Sequence, residues 1–204
     1  MVDKTTDSKL RVLSLYRPNY TAQYHVREIA KLTKKSHVTL LPHLQALEKD
    51  NILAAKTVGK NKMYSLNLQN IVAKQHLLLA EVVESIGYLE EVFVIKKLTT
   101  EIFKLNLSGA VILFGSYAKR TFKEDSDIDF LYVGKISDSD IQKIKEIGKT
   151  YGKTINIKKS TVESLESGLR KKEALLAEIL KNHLLLQNGE LFINALWRYY
   201  HEIK

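Results

Sequence analysis

The first seventy residues carry hydrophobic positions at helical spacing, followed by two short stretches typical of strands. The spacing predicts one helix that ends before Pro18, a second over residues 24–32 and a third that begins at Ser36. The third helix has an apolar stripe made of Leu40, Leu41, Leu44 and Leu47. Residues 52–58 and 62–66 then predict two strands of a hairpin. The predicted order is therefore three helices and a hairpin.

The pattern changes after residue 70. Residues 70–106 are helical in pattern, and Gly87 is expected to divide them into two helices. Strand patterns follow at residues 110–114, 127–133, 154–158 and 183–187, with helical segments between and after them. We therefore expect an α/β (α+β) chain with two domains, residues 1–70 and residues 71–204. The second domain should hold a small mixed sheet flanked by helices.

Composition indicates a folded chain and excludes several kinds of site. Hydrophobic residues make up 45% of the 204 residues, and glycine and proline together number only 11. The chain has no cysteine, which excludes disulfides, thiolate zinc sites, iron–sulfur clusters and a cysteine nucleophile. The polar N-terminus and the lack of a long apolar run predict a cytoplasmic protein with no membrane partner.

The positive charge is concentrated in the first predicted domain. Residues 1–70 hold 12 basic and 5 acidic residues, a net charge of +7, whereas residues 71–204 hold 20 and 18, a net charge of +2. Such asymmetry is typical of an anion-binding module joined to a nearly neutral one, and nucleic acid is the commonest large anion in the cytosol. A solvated lysine-rich surface is the alternative.

The segment from His25 to Asn67 resembles a winged helix-turn-helix of archaeal and bacterial transcription regulators. That resemblance implies duplex DNA as a partner, with the exposed start of the third helix in the major groove and wing cations on the phosphates. Carried over to this chain, the DNA-binding residues are Ser36, His37, Thr39, His43, Lys60 and Lys62. Pro42 departs from the pattern because it removes a backbone hydrogen bond inside the recognition helix. A module used for homodimerisation or protein contact is the alternative.

Residues 110–133 contain a pattern of residues that predicts a phosphate-binding and metal-binding site. Gly115 and Ser116 follow an apolar strand. Phosphate oxygens can approach the backbone N–H groups closely because Gly115 has no side chain, and the Ser116 hydroxyl supplies a further hydrogen-bond donor. Asp127 and Asp129 lie two residues apart on the next strand, so their carboxylates share a face about 7 Å apart and can share divalent cations. The cations Lys119, Arg120 and Lys123 lie between the two motifs and can neutralise a polyphosphate.

The pattern in residues 115–129 resembles that of the minimal nucleotidyltransferases of the DNA polymerase beta superfamily. It consists of Gly-Ser, a spacer of about ten residues and Asp-apolar-Asp, in that order. The resemblance implies that Gly115, Ser116, Lys119 and Arg120 bind a nucleoside triphosphate, with ATP as the first candidate. It implies that Asp127 and Asp129 are catalytic and ligate Mg²⁺ while a nucleotide is transferred to an acceptor. Protein, RNA and small hydroxyl or amine acceptors stay open, and relatives paired with toxins suggest a protein acceptor or toxin partner.

Two positions depart from that family pattern. Arg120 stands where family members commonly have glycine, and Asn156 stands where a later strand usually supplies a third carboxylate. An amide cannot act as a general base and is a poor ligand for a second metal. Two hypotheses follow: a nucleotidyltransferase fused to a DNA-binding module, or a catalytically weak or inactive regulator that senses nucleotides.

Overall fold

A computed structural model describes residues 4–203, and the side chains of residues 8–203. It divides into two compact units. The first contains the described residues up to Val83 and those from Tyr200 onward, and the second extends from Glu84 to Tyr199. The division lies inside a continuous helix, α4 (Ile71–Glu91), whereas the boundary predicted from the sequence lies at the start of that helix.

The first unit is built from three helices and a small sheet that precede α4. In chain order its elements are α1 (Lys4–Ser14), β1 (Gln23–His25), α2 (Val26–Thr33), α3 (His37–Lys49), β2 (Leu53–Val58) and β3 (Asn61–Leu66). The strands are antiparallel in the order β1-β3-β2. Leu40, Leu44 and Leu47 of α3 are fully buried, while Leu41 is only half-buried, contrary to the predicted stripe.

The second helix starts later than predicted. Residues 23–25 pair with β3 as strand β1, so Tyr24 is not helical. His25 is the N-cap, and its Nδ1 accepts a hydrogen bond from the Glu28 backbone N–H at 3.1 Å. A three-residue strand has too few positions to show an alternating pattern, which is why periodicity missed it.

The second unit is built around a four-stranded sheet. Its elements after α4 are α5 (Phe93–Phe103), β4 (Ala110–Phe114), α6 (Gly115–Ala118), β5 (Ile128–Val133), α7 (Asp138–Thr150), β6 (Ile155–Ser160), α8 (Val162–Arg170), α9 (Ala174–Lys181), β7 (Leu184–Gln187) and α10 (Gly189–Glu202). The strand order is β6-β5-β4-β7, in which β5 and β6 are parallel and the other pairs are antiparallel. This confirms the predicted mixed sheet.

The core of this unit packs helices α5 and α7 against the sheet. Ile95 and Leu98 of α5, Ile144 of α7, and Leu113 and Phe130 of the central strands belong to one buried cluster. Within the described part of the chain, no helix combines the length and apolar character that crossing a membrane requires.

The long helical region is interrupted at Val92 and not at Gly87. Val92 has φ −110° and ψ 85°, which are not helical angles, and it separates α4 from α5. Gly87 continues α4, because glycine lowers the stability of a helix by about 1 kcal/mol without preventing it.

Candidate active site

The predicted acidic pair lies at the N-terminal end of β5. Asp127 immediately precedes the strand and is exposed, and Asp129 is its second residue and is half-buried. Asp129 stands opposite Phe114 at the end of β4 and opposite Asn156 at the start of β6. Three elements therefore meet at Asp129.

The polar surface on β5 is confined to that end of the strand. Ile128, Phe130 and Tyr132 are buried on one face, as the alternation predicts, and Leu131 and Val133 are buried on the other. Both faces of the strand are thus buried beyond Asp129. The two carboxylates lie at the end of the strand that is not buried.

Gly115 lies in direct proximity to this carboxylate. Its φ is +72°, and a Cβ added there would lie 2.2 Å from Asp129 Oδ2. Two separate constraints, a left-handed backbone and the lack of space, therefore require glycine at this position. The close approach brings the predicted phosphate-binding turn and the predicted metal-binding pair together.

The predicted Gly-Ser turn is a single helical turn, α6. The Lys119 N–H donates to the Gly115 carbonyl at 3.1 Å, and the Thr121 N–H donates to the Ser116 carbonyl at 3.0 Å. Ser116 is half-buried in this turn, directly after Gly115. The turn ends at Arg120, which has φ +59°.

Lys119 and Arg120 both form ion pairs with glutamates of other elements. Lys119 pairs with Glu178 of α9, and Arg120 pairs with Glu91 at the end of α4. The Arg120 guanidinium also lies over the Tyr88 ring, 4.9 Å from its centroid. The charge of each cation is thus offset by an acid. Sequence reasoning missed both glutamates because nothing in the local pattern marks a partner 59 or 29 residues away.

Asn156 bridges the two aspartates. Its Nδ2 donates to Asp129 Oδ1 at 3.2 Å and to Asp127 Oδ2 at 3.4 Å. These hydrogen bonds offset the repulsion between two neighbouring carboxylates. The sequence resemblance predicts a third carboxylate at this position, and the structure has the amide of Asn156 there.

The donor set is compatible with one hard divalent cation. Mg²⁺ is usually held by one or two carboxylates together with substrate phosphates, and Asp127 and Asp129 supply two such groups. Rotation of the Asn156 amide about χ2 would present its oxygen to the same place. Among the residues described, no three or more His, Cys, Asp or Glu side chains are grouped so that they could hold a metal by themselves.

Glu163 does not supply the missing carboxylate. It lies in the first turn of α8, beyond the far end of β6, whereas Asn156 is near that strand's beginning. A hydrogen bond from its own backbone N–H, and a second from the Thr161 hydroxyl, lower the pKa of Glu163. Its carboxylate is therefore engaged in the start of α8.

The residues predicted to contact DNA lie at two places in the first unit. Ser36 is the N-cap of α3, and its hydroxyl accepts from the Thr39 N–H at 3.1 Å and lies 2.7 Å from the Thr39 hydroxyl. His37 beside them is exposed, whereas His43 is half-buried. The helix continues through Pro42.

The two predicted wing cations differ in their environment. Lys60 lies in the turn between β2 and β3 and is exposed. Lys62 on β3 donates to Glu48 of α3 at 2.6 Å. That hydrogen bond raises the pKa of Lys62, so the ammonium group stays charged. The same hydrogen bond orients the ammonium group toward α3.

Comparison with known protein families supports the interpretation of the second unit. Residues 95–183 match the nucleotidyltransferase domain family. No curated protein matches the chain. The matched segment extends from α5 to the residue before β7, and it contains the Gly-Ser turn, both aspartates and Asn156. Nucleotidyltransferase domains generally use nucleoside triphosphates and divalent metal ions. The part of the chain that holds the acidic pair is therefore similar to nucleotidyltransferase domains.

Proposed function

We propose that the second unit transfers a nucleoside monophosphate from a nucleoside triphosphate, with ATP as the first candidate, to an acceptor hydroxyl or amine. The observation that carries this proposal is the close approach of Gly115 to Asp129 within a segment matched to the nucleotidyltransferase family. A phosphate-binding turn and a metal-binding pair are useful together only when a phosphate and its cation must be held at one place.

The residues of the chain divide the work as follows. The backbone at Gly115 and the hydroxyl of Ser116 bind the terminal phosphates, and Asp127 and Asp129 bind Mg²⁺. The bound Mg²⁺ supplies positive charge that offsets the charge of the triphosphate. Lys119 and Arg120 add charge if the triphosphate displaces Glu178 and Glu91 from them.

Transfer proceeds by in-line displacement. The acceptor oxygen or nitrogen forms a bond to the α-phosphorus, the bond from that phosphorus to the bridging oxygen breaks, and pyrophosphate leaves. Asn156 cannot take the proton of the acceptor because an amide is not a base. That proton passes to a phosphate oxygen of the substrate, and we expect turnover to be slow.

Asn156 also favours a second candidate function. An amide that holds the two carboxylates together permits nucleotide binding and removes the third negative charge. A nucleotide sensor that regulates transcription without catalysis would have such a site.

Label transfer distinguishes the two functions. The wild-type protein, Asp127→Asn and Asn156→Asp are incubated with labelled nucleotides, Mg²⁺ and cell extract, and labelled protein, RNA and small molecules are separated. Asp125→Asn is the matched control, because Asp125 is an exposed carboxylate of the same loop. Transfer that is lost in Asp127→Asn and kept in Asp125→Asn supports the enzyme. Transfer only in Asn156→Asp, or binding without transfer, supports the sensor.

For the first unit we propose a winged helix-turn-helix that binds duplex DNA. Support comes from the order of three helices and a hairpin, the exposed start of α3 and the net charge of +7 in residues 1–70. Binding through phosphates makes log affinity fall linearly with log salt, by about 0.9 for each contact. Replacing Lys60 with Ala should reduce that slope by about one. Binding that does not depend on salt would favour a protein partner instead.

A further inference from the structure

Lys158 lies on the same face of β6 as Asn156, two positions further along the strand. Residues 128–133 of β5 pair with residues 155–160 of β6 without a break in register, so side chains alternate regularly along β6. Asn156 faces the acidic pair, because its amide donates hydrogen bonds to both aspartates. Lys158 is therefore on the face that carries the proposed active site, about 7 Å along the strand from Asn156.

The boundary between the buried and the open part of that face lies beside Lys158. Leu131, which stands opposite Lys158 on β5, is only 3% exposed, whereas Lys158 itself is exposed. β6 is the first strand in the order β6-β5-β4-β7 and so forms an edge of the sheet. The long side chain of Lys158 can therefore extend toward the open end of the sheet, where the two carboxylates lie.

The charge of Lys158 is not offset by an acid. In the part of the chain whose side chains the structure describes, its ammonium group forms no ion pair. Lys159, the next residue, lies on the other face of the strand and pairs with Asp138 at 3.3 Å. The cations of the phosphate-binding turn, Lys119 and Arg120, are paired with glutamates as well. Lys158 is thus a cation of this face that can bind an anion without first losing a partner.

In-line transfer determines the side from which the acceptor approaches. Gly115 and Ser116, which bind the terminal phosphates in the proposed function, directly follow β4, and the acidic pair lies at the start of β5. The terminal phosphates form the pyrophosphate that leaves, and the entering atom approaches the α-phosphorus from the opposite side. Because β5 lies between β4 and β6, the side opposite β4 is the side of β6. The acceptor therefore approaches across β6.

The residues of β6 on that face are Asn156, Lys158 and Ser160, of which Lys158 alone is charged. An ammonium group attracts a carboxylate or a phosphate and repels a protonated amine. We infer that Lys158 binds the acceptor, and that the acceptor is a hydroxyl compound that carries an anionic oxygen group, phosphate or carboxylate. This inference rests on the proposed nucleotidyl transfer and names the class of its acceptor.

Binding to the nucleotide-loaded protein tests the inference without catalysis. The protein is saturated with Mg²⁺ and the α,β-methylene analogue of ATP, whose P–C bond prevents transfer. It is then titrated calorimetrically with glycerol 3-phosphate, glycerate or glycerol, which share hydroxyl groups and differ in charge. We expect at least one of the two anions to bind about fivefold or more tightly than glycerol. The anion that binds more tightly identifies the group as phosphate or carboxylate.

Variants of β6 show whether Lys158 is the cause of this preference. Lys158→Gln should weaken binding of the preferred anion about fivefold or more and leave the nucleotide affinity unchanged. Lys158→Arg keeps the charge and should retain most of the affinity. Lys159→Gln is the matched control, because it removes the same charge from the opposite face of the strand. Equal binding of glycerol and both anions, or the same loss in Lys159→Gln, would overturn the inference.

The nucleotide titration separates this inference from the proposed function. If the protein binds the nucleotide but does not discriminate between the three probes, the proposed transfer stands and the acceptor class is wrong. If the protein binds no nucleotide, the proposed transfer is wrong and the inference fails with it. Loss of nucleotide affinity in Lys158→Gln would place Lys158 at the nucleotide and would overturn its role toward the acceptor.

Discussion

At the residue scale, the site depends on two unusual backbone positions in one short turn. Gly115 has φ +72° at the start of α6 and Arg120 has φ +59° after its end. Glycine adopts such angles freely, while other residues lose about 1–2 kcal/mol. Arg120 bears this cost at a position that is not glycine, and its contacts with Glu91 and the Tyr88 ring offset part of it. Arg120 therefore places a positive charge at a position where the backbone conformation favours glycine.

Gly115→Ala should affect both stability and ligand binding. The added Cβ would meet Asp129 Oδ2 at 2.2 Å, so the carboxylate must move in addition to the left-handed strain. We expect a loss of about 2–4 kcal/mol in the free energy of unfolding and loss of nucleotide binding.

Gly152→Ala is the control for this change. Gly152 has φ +66° and no heavy atom within 4 Å of an added Cβ. It should lose only the strain cost, about 1–2 kcal/mol, and should keep nucleotide binding. Urea unfolding and a titration with nucleotide measure both effects. Equal losses in the two variants would show that the contact with Asp129 has no importance.

At the element scale, the central strands could be predicted from the sequence and the short elements could not. Strand β4 has the predicted bounds, and β5 differs by one residue from the prediction, because long apolar runs between polar turns are distinctive. The α6 turn and β1 have only four and three residues, too few for periodicity. The sequence predicts that Asn156 faces the site. Its hydrogen bonds to both aspartates could not be predicted, because they depend on the register between β5 and β6.

The ion pair between α3 and the hairpin leads to a prediction about DNA affinity. Glu48 holds Lys62 at 2.6 Å and adds a negative charge beside the proposed DNA-binding surface. Glu48→Gln should free Lys62, raise DNA affinity several-fold at low salt and make the salt dependence steeper by up to about one unit. Folding stability should change by less than about 1 kcal/mol, because the pair is exposed.

Glu101→Gln provides the comparison for Glu48→Gln. Glu101 makes a similar exposed pair with Lys104 at 2.8 Å, but in the second unit. The two variants have the same net charge. Fluorescence anisotropy with a labelled duplex across a salt series distinguishes a local effect of Glu48 from a general effect of charge. If both variants bind DNA equally, Lys62 does not contact phosphate.

At the scale of the whole molecule, the tyrosines whose pKa burial raises lie mostly in the first unit. Burial raises the pKa values of Tyr16 and Tyr20 well above 10, and it also raises those of Tyr24 and Tyr64. In the second unit, burial raises the pKa of Tyr88 to about 12. The two units should therefore respond differently to alkaline pH.

The first unit should lose stability first as the pH rises above 10. A tyrosine whose folded pKa exceeds the unfolded value contributes fully below pH 10, and that contribution is lost as the unfolded state releases the proton. Each such tyrosine lowers the free energy of unfolding by up to about 1.4 kcal/mol per pH unit. Trp197, the single tryptophan, lies in the second unit. Far-UV circular dichroism should therefore change at lower pH than tryptophan fluorescence.

Tyr16→Phe tests the cause of this alkaline sensitivity. The Tyr16 hydroxyl donates to the Tyr64 carbonyl at 3.0 Å, so its removal should lower stability at pH 7 by about 1 kcal/mol. Above pH 10 the variant has one fewer proton to release on unfolding, and its stability should fall less steeply than that of the wild type. Ile29→Val, at a fully buried site of the same unit, should show a similar loss at pH 7 with the wild-type slope. Because the two variants differ in an ionisable group, parallel curves for both would rule out ionisation of Tyr16 as a source of the slope.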